Sequence, residues 1–402
     1  MRQVTLTLMI DIDNTLLGNS MGTFIPAYMA ALGEALSSYS DLKKVSSVLL
    51  AATEEMFRNN LPNRTLKEAF DPAFYPALGI SADEVKNLLE KFYDEEFPKL
   101  AYLSQRRPEA VVLVETAIQR GWQIAIATNP IFPLAAILHR LAWAGLSIDK
   151  FPFLIVPSYE SFHFAKPNPA FFAELLGRIG WPRQATVMIG DDPENDIQAA
   201  QLMGIPAFWV ANGQVYPDGL PIPEASGALE DIIPWLDGVP EDDLMPNYDL
   251  PSAVIGTMRG TPSALLGLTS IVPQEAWNKP QVADEWSLTE IACHLRDVEK
   301  EINLARLKKI ISEDNPFIPG VDSDAWALSR DYRAQDGPAA LHDFVSTRIE
   351  TLDILSNLAP ADWKRPVQHA IFGPTNLAEI ASFMGGHDRL HVRQSYAQIP
   401  SF

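Results

Sequence analysis

The sequence predicts an α/β half with a parallel sheet, followed by an all-α half that forms a four-helix bundle. Up to about residue 238, short apolar segments alternate with helical patterns, as in doubly wound α/β proteins. A segment rich in proline and acidic residues, VPEDDLMPNYDLP, comes next, and only helical patterns follow it. The chain has 402 residues, which is long enough for two domains or more.

Composition argues against several classes of protein. The chain has 31 Lys and Arg against 51 Asp and Glu, and this net charge of −20 argues against a nucleic-acid binder. The lone cysteine, Cys293, excludes internal disulfides and fits a reducing compartment. We find no signal-peptide pattern, and no apolar run approaches the roughly 18 residues that a membrane-spanning helix needs. We therefore expect a cytoplasmic protein without nucleic-acid or membrane partners.

The first predicted strand, residues 4–10, ends in two aspartates, Asp11 and Asp13. Its apolar character is typical of a central parallel strand, and open α/β sheets bind ligands at the carboxyl ends of such strands. One aspartate could simply cap a turn. Two acids in one loop repel each other unless a cation lies between them or their protonation states differ. The pair therefore predicts a metal site, or a nucleophile beside a proton donor.

The segment after this loop, to about residue 106, has helical patterns throughout. Phe24, Tyr28 and Leu32 recur at helical spacing, and Ser81 with Glu84 forms a capping box. We expect a helical insertion that covers the active site as a lid.

Four further strands are predicted, and a helix over 226–236 closes this half. The predicted strands are 123–128, 153–157, 186–190 and 207–210. Three of them lead into polar residues: Thr128, Lys166 in the loop after the second, and Asp191 with Asp192. Because carboxyl ends of parallel strands share one edge of a sheet, these groups are expected to meet near Asp11.

Together these residues would suit metal-assisted phosphoryl transfer. Asp11 could attack phosphorus and Asp13 could transfer protons, while Thr128 and Lys166 could bind phosphoryl oxygens. An oxygen-rich Mg²⁺ site could be completed by Asp191 with Asp192 or Asp196. Simpler interpretations exist for each: a threonine at a strand end is ordinary, Lys166 could be a solvated loop lysine, and Asp192 could only cap the following helix.

The four segments DIDNT, IATN, AKPNP and GDDPEND resemble the motifs of haloacid dehalogenase-like (HAD) hydrolases, over roughly residues 1–238. The resemblance implies a Rossmann-like core (1–16 and 106–238), Asp11 as nucleophile, Asp13 as acid/base, and Mg²⁺ that also contacts the Asp13 main-chain carbonyl. The insertion at 17–105 resembles the cap of the phosphoglycolate phosphatase-like branch. Dehalogenating members lack the second aspartate, so Asp13 implies a small phosphorylated metabolite as substrate.

We predict a linker at 239–250. The hydrophobic pattern of residues 251–402 then predicts four amphipathic helices that form a bundle. They are expected at 252–270, from Ser287 onward, at 338–355 and at 376–397. We predict that residues 1–238 fold without this second half.

Three histidines occupy positions of the bundle where apolar residues are expected. His387 and His391 are four residues apart on one helix face, and His294 faces the seam of its own helix. Each could be a hydrogen-bonded core residue, but a divalent metal would satisfy all three together. The other histidines, His139, His163, His342 and His369, are expected at the surface or in loops.

The second half resembles the DinB-like family through EWS leading to ACHL, and through GHD leading to His391 and Gln394. The resemblance implies a three-histidine site for Zn²⁺ or Ni²⁺ and, in several branches, thiol-dependent transferase activity. Asp388 and Arg348 could support that site or form a local salt bridge. The alternatives for this half are therefore a metal-dependent transferase, or a ligand-sensing or homodimerisation module.

Overall fold

The computed structural model describes residues 6–399, and its first half is built around a five-stranded parallel sheet in the order β4-β1-β5-β6-β7. Strands β2 and β3 form a separate antiparallel pair. The strands are β1 (Leu6–Ile10), β2 (Leu17–Asn19), β3 (Ser104–Arg106), β4 (Gln123–Ile126), β5 (Ala185–Gly190), β6 (Ala207–Val210) and β7 (Ala225–Gly227). Every residue of β1 and β5 is buried, which confirms the central, doubly covered position expected for the first strand. Val4, in the predicted first strand, lies outside the described residues.

Helices cover this sheet and form the cap. Those of the cap are α1 (Met21–Ala35), α2 (Leu42–Arg58), α3 (Leu66–Leu78) and α4 (Ala82–Lys91), and those of the core are α5 (Pro108–Gln119), α6 (Leu134–Trp143), α7 (Pro169–Arg178), α8 (Ala199–Leu202) and α9 (Ile232–Gly238). The expected Ser81–Glu84 capping box is present at the start of α4.

Two predicted elements differ from the structure. Residues 153–157 are not a strand, although Leu154 N donates to Ile124 O and Ile126 N donates to Ile155 O, at 2.8 and 3.1 Å. Two bonds fix this segment beside β4 without extending the ladder. The predicted helix at 226–236 begins instead as strand β7, and α9 starts only at Ile232.

The second half is the expected bundle. Its helices are α10 (Pro251–Thr269), α11 (Leu288–Val298), α12 (Leu304–Ser312), α13 (Trp326–Ser329), α14 (Gly337–Ser356) and α15 (Leu377–Ala397). A π-helical turn, Glu299–Asn303, joins α11 to α12, so that α10, α11–α12, α14 and α15 are the four long members. A small sheet that the sequence did not indicate, β8 (Phe317–Ile318), β9 (Pro366–His369) and β10 (Gly373–Asn376), closes one end. No helix within residues 6–399 has the length and apolar character needed to cross a membrane.

The two halves share a hydrophobic core. One cluster of buried side chains continues from Met9 of the sheet through Phe171 of α7 to Leu265, Ile291 and Leu341 of the bundle. This shared core argues against the prediction that residues 1–238 fold without the second half. Periodicity identifies the apolar face of each helix but not the partner that covers it.

Helices α7 and α10 approach closely along a stripe of small residues. A Cβ on Gly260 would lie 2.6 Å from the Cβ of Ala173, and a Cβ on Gly177 would lie 2.5 Å from that of Ala264. Both contacts advance in the same direction along the two helices, which therefore run parallel. Larger side chains at these positions would separate the helices.

Residues 239–250 are packed against the first half. Leu244 is buried, Asn247 N donates to Gly204 O at 2.8 Å, and the Tyr248 ring meets the buried Trp181 ring at 5.6 Å. A free linker would not make these contacts. The predicted linker is thus a connection that packs against the first half, which the sequence did not indicate.

Candidate functional site

Three carboxylates converge at the carboxyl edge of the parallel sheet. Asp11 follows β1, while Asp191 and Asp196 follow the adjacent strand β5. One oxygen of each lies within 4.8 Å of those of the others. Asp11 and Asp196 are buried and Asp191 is half-buried, so that water screens their repulsion poorly.

Lys166 joins two of these carboxylates. Its Nζ lies 2.9 Å from Asp11 Oδ1 and 2.5 Å from Asp196 Oδ1, and the side chain is buried. Burial alone would lower the pKa of Lys166, but the charges of Asp11 and Asp196 raise it, so the amine is a cation at neutral pH. Asn129 fixes the loop by accepting from Lys166 N at 3.1 Å. The interpretation of Lys166 as a solvated loop lysine is therefore excluded.

Asp191 is held by the first loop. Asn14 Nδ2 donates to its Oδ2 at 3.0 Å and Thr15 Oγ1 donates to its Oδ1 at 3.4 Å. Burial, followed by the negative charge of Asp11, raises the pKa of Asp191 to about 7. The ionised carboxylate thus needs a further positive charge.

Asp192 and Asp196 were both expected beside the metal, but only Asp196 belongs to the carboxylate cluster. Asp196 Oδ1 binds Lys166, and its Oδ2 accepts from Asp192 N at 3.0 Å, so both oxygens have protein partners. Asp192 caps the helical turn that follows, because its Oδ1 accepts from Glu194 N and Asn195 N at 3.0 and 2.9 Å. Asp192 lies outside the carboxylate cluster, which corrects its expected place among the metal ligands.

Asp13 lies outside the carboxylate cluster and has partners of its own. Asn19 Nδ2 donates to its Oδ1 at 2.7 Å, and Arg140 of α6 forms an ion pair with its Oδ2. Arg140 is buried, with its guanidinium carbon 5.7 Å from the Phe24 ring centre and 5.1 Å from that of Phe132. Burial lowers the pKa of Arg140 to about 10, which leaves it charged at neutral pH.

We did not predict Arg140 as a site residue, although its spacing from two apolar residues of α6 indicates a buried position. It follows Ala136 and Ile137, which are both buried, by four and three residues, so it lies on the inner face of α6. Thr128, by contrast, was identified: it is buried directly after β4, where Ala127 N donates to Ile10 O at 2.8 Å.

The carboxylate cluster fits the Mg²⁺ that the fold family implies. Its donors are hard oxygens, and burial raises the pKa of both Asp191 and Asp196. With Lys166 as the contacting cation, three ionised carboxylates leave a net negative charge that a divalent ion would offset. Both oxygens of Asp191 and of Asp196 accept hydrogen bonds from the chain, while Lys166 contacts Oδ1 of Asp11.

The three bundle histidines meet inside the second half. His294 Nε2 and His391 Nε2 lie 3.0 and 3.1 Å from His387 Nε2. Bonds of 2.0–2.1 Å to a tetrahedral Zn²⁺ would hold nitrogen ligands about 3.3 Å apart, close to this spacing. Trp286 covers the group, with its ring stacked on that of His391 at 5.9 Å.

These imidazoles are neutral at physiological pH. Burial lowers the pKa of His294 to about 3 and that of His391 to about 4, and it lowers the pKa of His387 as well. His391 Nδ1 lies 2.7 Å from Gln394 Oε1, which can only accept, so the proton is on Nδ1 and the Nε2 lone pair faces His387. Neutral nitrogens with inward lone pairs suit a transition metal.

Arg348 and Asp388 form a salt bridge below the histidines. Arg348 Nη2 donates to Asp388 Oδ1 at 3.0 Å and to Glu299 Oε2 at 2.7 Å, and all three side chains are fully buried. Every carboxylate–guanidinium contact here lies within the bundle core. Of the two expectations for Arg348 and Asp388, the structure shows the local salt bridge.

One other histidine was predicted wrongly: His369 is buried in β9, where it stacks on Phe372 at 4.5 Å. His163 lies in a loop, as expected, but is buried there with Nδ1 2.7 Å from Glu174 Oε1. His342 is exposed, as expected.

Comparison with known protein families agrees with this division. Residues 163–229 match the HAD-hydrolase-like family, and residues 257–395 match the DinB superfamily. Phosphoserine phosphatase of Thermus thermophilus is 30% identical over 180 residues, which cover 45% of this chain and 63% of that protein, or less than two thirds of its length. Phosphoglycolate phosphatase of Pectobacterium atrosepticum is 25% identical over 235 residues, 57% of this chain and 91% of that protein.

Among solved structures, YfiT from Bacillus subtilis aligns with the second half. It is described as a probable metal-dependent hydrolase with an unusual four-helix bundle topology. The TM-score is 0.33 at 18% identity, and the alignment covers 37% of this chain and 87% of YfiT. The two family matches thus fall in different halves of the chain, each over less than half of its length.

Proposed function

We propose that the first half hydrolyses a small phosphomonoester through a phosphorylated Asp11. The observation that carries this proposal is the Lys166 amine, which bridges Asp11 and Asp196 beside Asp191 at the carboxyl edge of the sheet. A buried carboxylate fixed in this way is oriented for attack, and it lies in the region where α/β sheets bind ligands.

Two displacements complete the reaction. Asp11 attacks phosphorus, the bond from phosphorus to the ester oxygen breaks, and Asp13 protonates the leaving alcohol. Asp13 then accepts a proton from water, whose oxygen attacks phosphorus and releases Asp11 with inorganic phosphate. Lys166 and Thr128 bind the phosphoryl oxygens.

The ion pair between Asp13 and Arg140 affects the protonation state of Asp13, which differs between the two steps. It favours the carboxylate form of Asp13, which the second step requires. In the first step Asp13 must be protonated and turned toward the leaving oxygen, so this ion pair has to open.

Asp11 and Asp191, with the Asp13 main-chain carbonyl, would hold Mg²⁺ in this half. The bound ion would neutralise charge that develops on the phosphoryl oxygens. Asp196 then acts by orienting Lys166.

Asp11→Asn tests this proposal. The variant keeps the shape of the side chain but removes the nucleophile, so hydrolysis of any phosphate ester cleaved by the parent should fall to background. Asp218→Asn, at an exposed loop position, is the matched control and should keep full activity. Parental turnover in Asp11→Asn would contradict the assignment.

We propose further that His294, His387 and His391 bind one transition-metal ion, Zn²⁺ or Ni²⁺, in the bundle. Their convergent Nε2 atoms and neutral state support this. Three nitrogen ligands leave a coordination position for water or a thiol, as catalytic metal sites do. A thiol-dependent transferase is therefore the second candidate activity.

Elemental analysis of the full chain, expressed with added Zn²⁺ and Ni²⁺, tests the bundle site. About one transition-metal ion per chain is expected, and His387→Ala with His391→Ala should remove it. His342→Ala, on the exposed face of α14, is the control and should retain the metal. A metal-free parent would instead favour the sensing or homodimerisation module.

A further inference from the structure

We infer that the substrate of the first half carries an apolar alkyl or aromatic group, and that the cap cavity receives it. This inference rests on the proposed phosphatase function and adds the class of its leaving alcohol. The cavity, of about 280 Å³, lies between helices α1–α4 of the cap and the loop after β4.

Two residues of the cavity wall contact the partners of the proposed proton donor, Asp13. Met21, in its wall, has its sulfur 3.9 Å from Asn19 Nδ2, the amide that also donates to Asp13. Phe132, also in the wall, contacts the Arg140 guanidinium that pairs with Asp13. Asp13 must meet the leaving oxygen during reaction, so the rest of the alcohol extends toward this cavity.

The described residues that line the cavity include no Asp, Glu, Lys, Arg or His. Most of the wall is aliphatic or aromatic, and examples are Ile25, Leu32, Leu49, Phe70 and Phe74. An alkyl or aryl group would leave water for this surface at a gain of about 25 cal/mol for each Å² buried. A carboxylate would lose its hydration without gaining a cation.

The polar groups of the wall are neutral and partly satisfied. The Tyr28 and Tyr93 hydroxyls lie 2.9 Å apart and bond to each other. Burial raises the pKa of Tyr28 and of Tyr75 to about 12, so neither phenol ionises near neutral pH.

The carboxylates just outside the wall oppose an acidic ligand, and the Arg140 cation beside Phe132 is paired with Asp13. The negative charge of Asp71 further raises the pKa of Tyr75, and that of Glu160 further raises the pKa of Tyr159. Lys67 is already paired with Asp71. The names of the two curated phosphatases refer to phosphorylated carboxylic acids, whereas this cavity offers a second carboxylate no counter-ion.

The size of the cavity is adequate. An apolar protein cavity of about 150 Å³ holds a benzene ring, so about 280 Å³ can hold a ring or a medium alkyl chain.

The test compares hexyl phosphate with 6-phosphonooxyhexanoate, using the full chain with Mg²⁺. The two esters differ only in their far end, so their leaving alcohols are equally reactive. We expect kcat/KM at least tenfold higher for hexyl phosphate, mainly through KM. Met29→Lys places a cation in the half-buried part of the wall and should reduce or reverse that preference, while Val215→Lys, at an exposed loop position, should not.

The outcomes separate the two claims. Equal or better turnover of the carboxylate ester by the parent would overturn the inference and leave the phosphatase function standing. Turnover of neither ester, nor of any other phosphomonoester, would overturn the proposed function and the inference with it. If Met29→Lys does not fold, Thr53→Lys, at another half-buried position of the wall, replaces it.

Discussion

Asp13 has two partners with different effects on its chemistry. The Asn19 amide binds either protonation state, but the Arg140 guanidinium favours only the carboxylate. Arg140 itself touches no reacting atom in the proposed mechanism and is a positioning residue. It orients Asp13 between the two steps of one turnover, when Asp13 is the carboxylate that accepts the proton of water.

Arg140→Met tests this role. We expect kcat to fall more than tenfold with KM little changed, because substrate binding does not use Asp13 in its ion pair. Arg140→Lys, which keeps the charge but not the fork, should recover part of kcat. Steady-state kinetics on folded variants measure these effects. An unchanged kcat in Arg140→Met would contradict the positioning role of Arg140.

At the same scale, the motif order was enough to locate Asp11, Asp191 and Lys166 in one site. Asp11 and Asp191 follow adjacent parallel strands of one sheet, which bring them together. Lys166 follows the segment at 153–157, which two hydrogen bonds fix beside β4. Asp192 and Arg140 could not be placed in this way. Which of two adjacent aspartates caps a helix, and which helix carries the counter-ion, depends on three-dimensional packing.

Among the elements, the contact between α7 and α10 carries the most consequence for stability. Gly260→Val would bring a side chain against Ala173 and the Glu174 backbone nitrogen, which lies 2.7 Å from the position of a Cβ on Gly260. Overpacking of this kind costs about 1–3 kcal/mol. Gly238→Val is the matched control because a Cβ there would meet nothing within 4 Å. The free energy of unfolding in urea should fall for Gly260→Val and stay at the parental value for Gly238→Val. Equal values for the two variants would mean that α7 and α10 can separate without loss of stability.

Helix boundaries in the bundle followed from local chemistry. Ser287 and Glu290 form the expected capping box, and Asn376 accepts from Glu379 N as the cap of α15. Two elements of the first half did not follow from local chemistry. The segment at 153–157 makes two hydrogen bonds to β4 without extending the ladder, and β7 is a three-residue strand that pairs with β6. The small sheet β8–β10 has too few residues to produce a period.

For the whole molecule, the shared core predicts that residues 1–238 do not form a stable soluble fragment. Removing the bundle would expose the α7 face and Trp181, which the Arg393 guanidinium and the Tyr248 ring now cover. Circular dichroism and gel filtration of this fragment should show loss of tertiary structure or aggregation, compared with the full chain. A folded, active fragment would mean that the interface adds little.

Helix α7 also connects the chemistry of the two halves. Its amino end follows the loop that carries Lys166, and its side lies on α10, a member of the bundle that contains the histidines. A metal ion bound by the histidines would stabilise the bundle, and α10 of the bundle packs on the helix that follows the Lys166 loop. Thermodynamic linkage makes any such effect reciprocal. If metal loading tightens phosphate binding by some factor, phosphate must tighten metal binding by the same factor, and the two regions would then respond to each other's ligands.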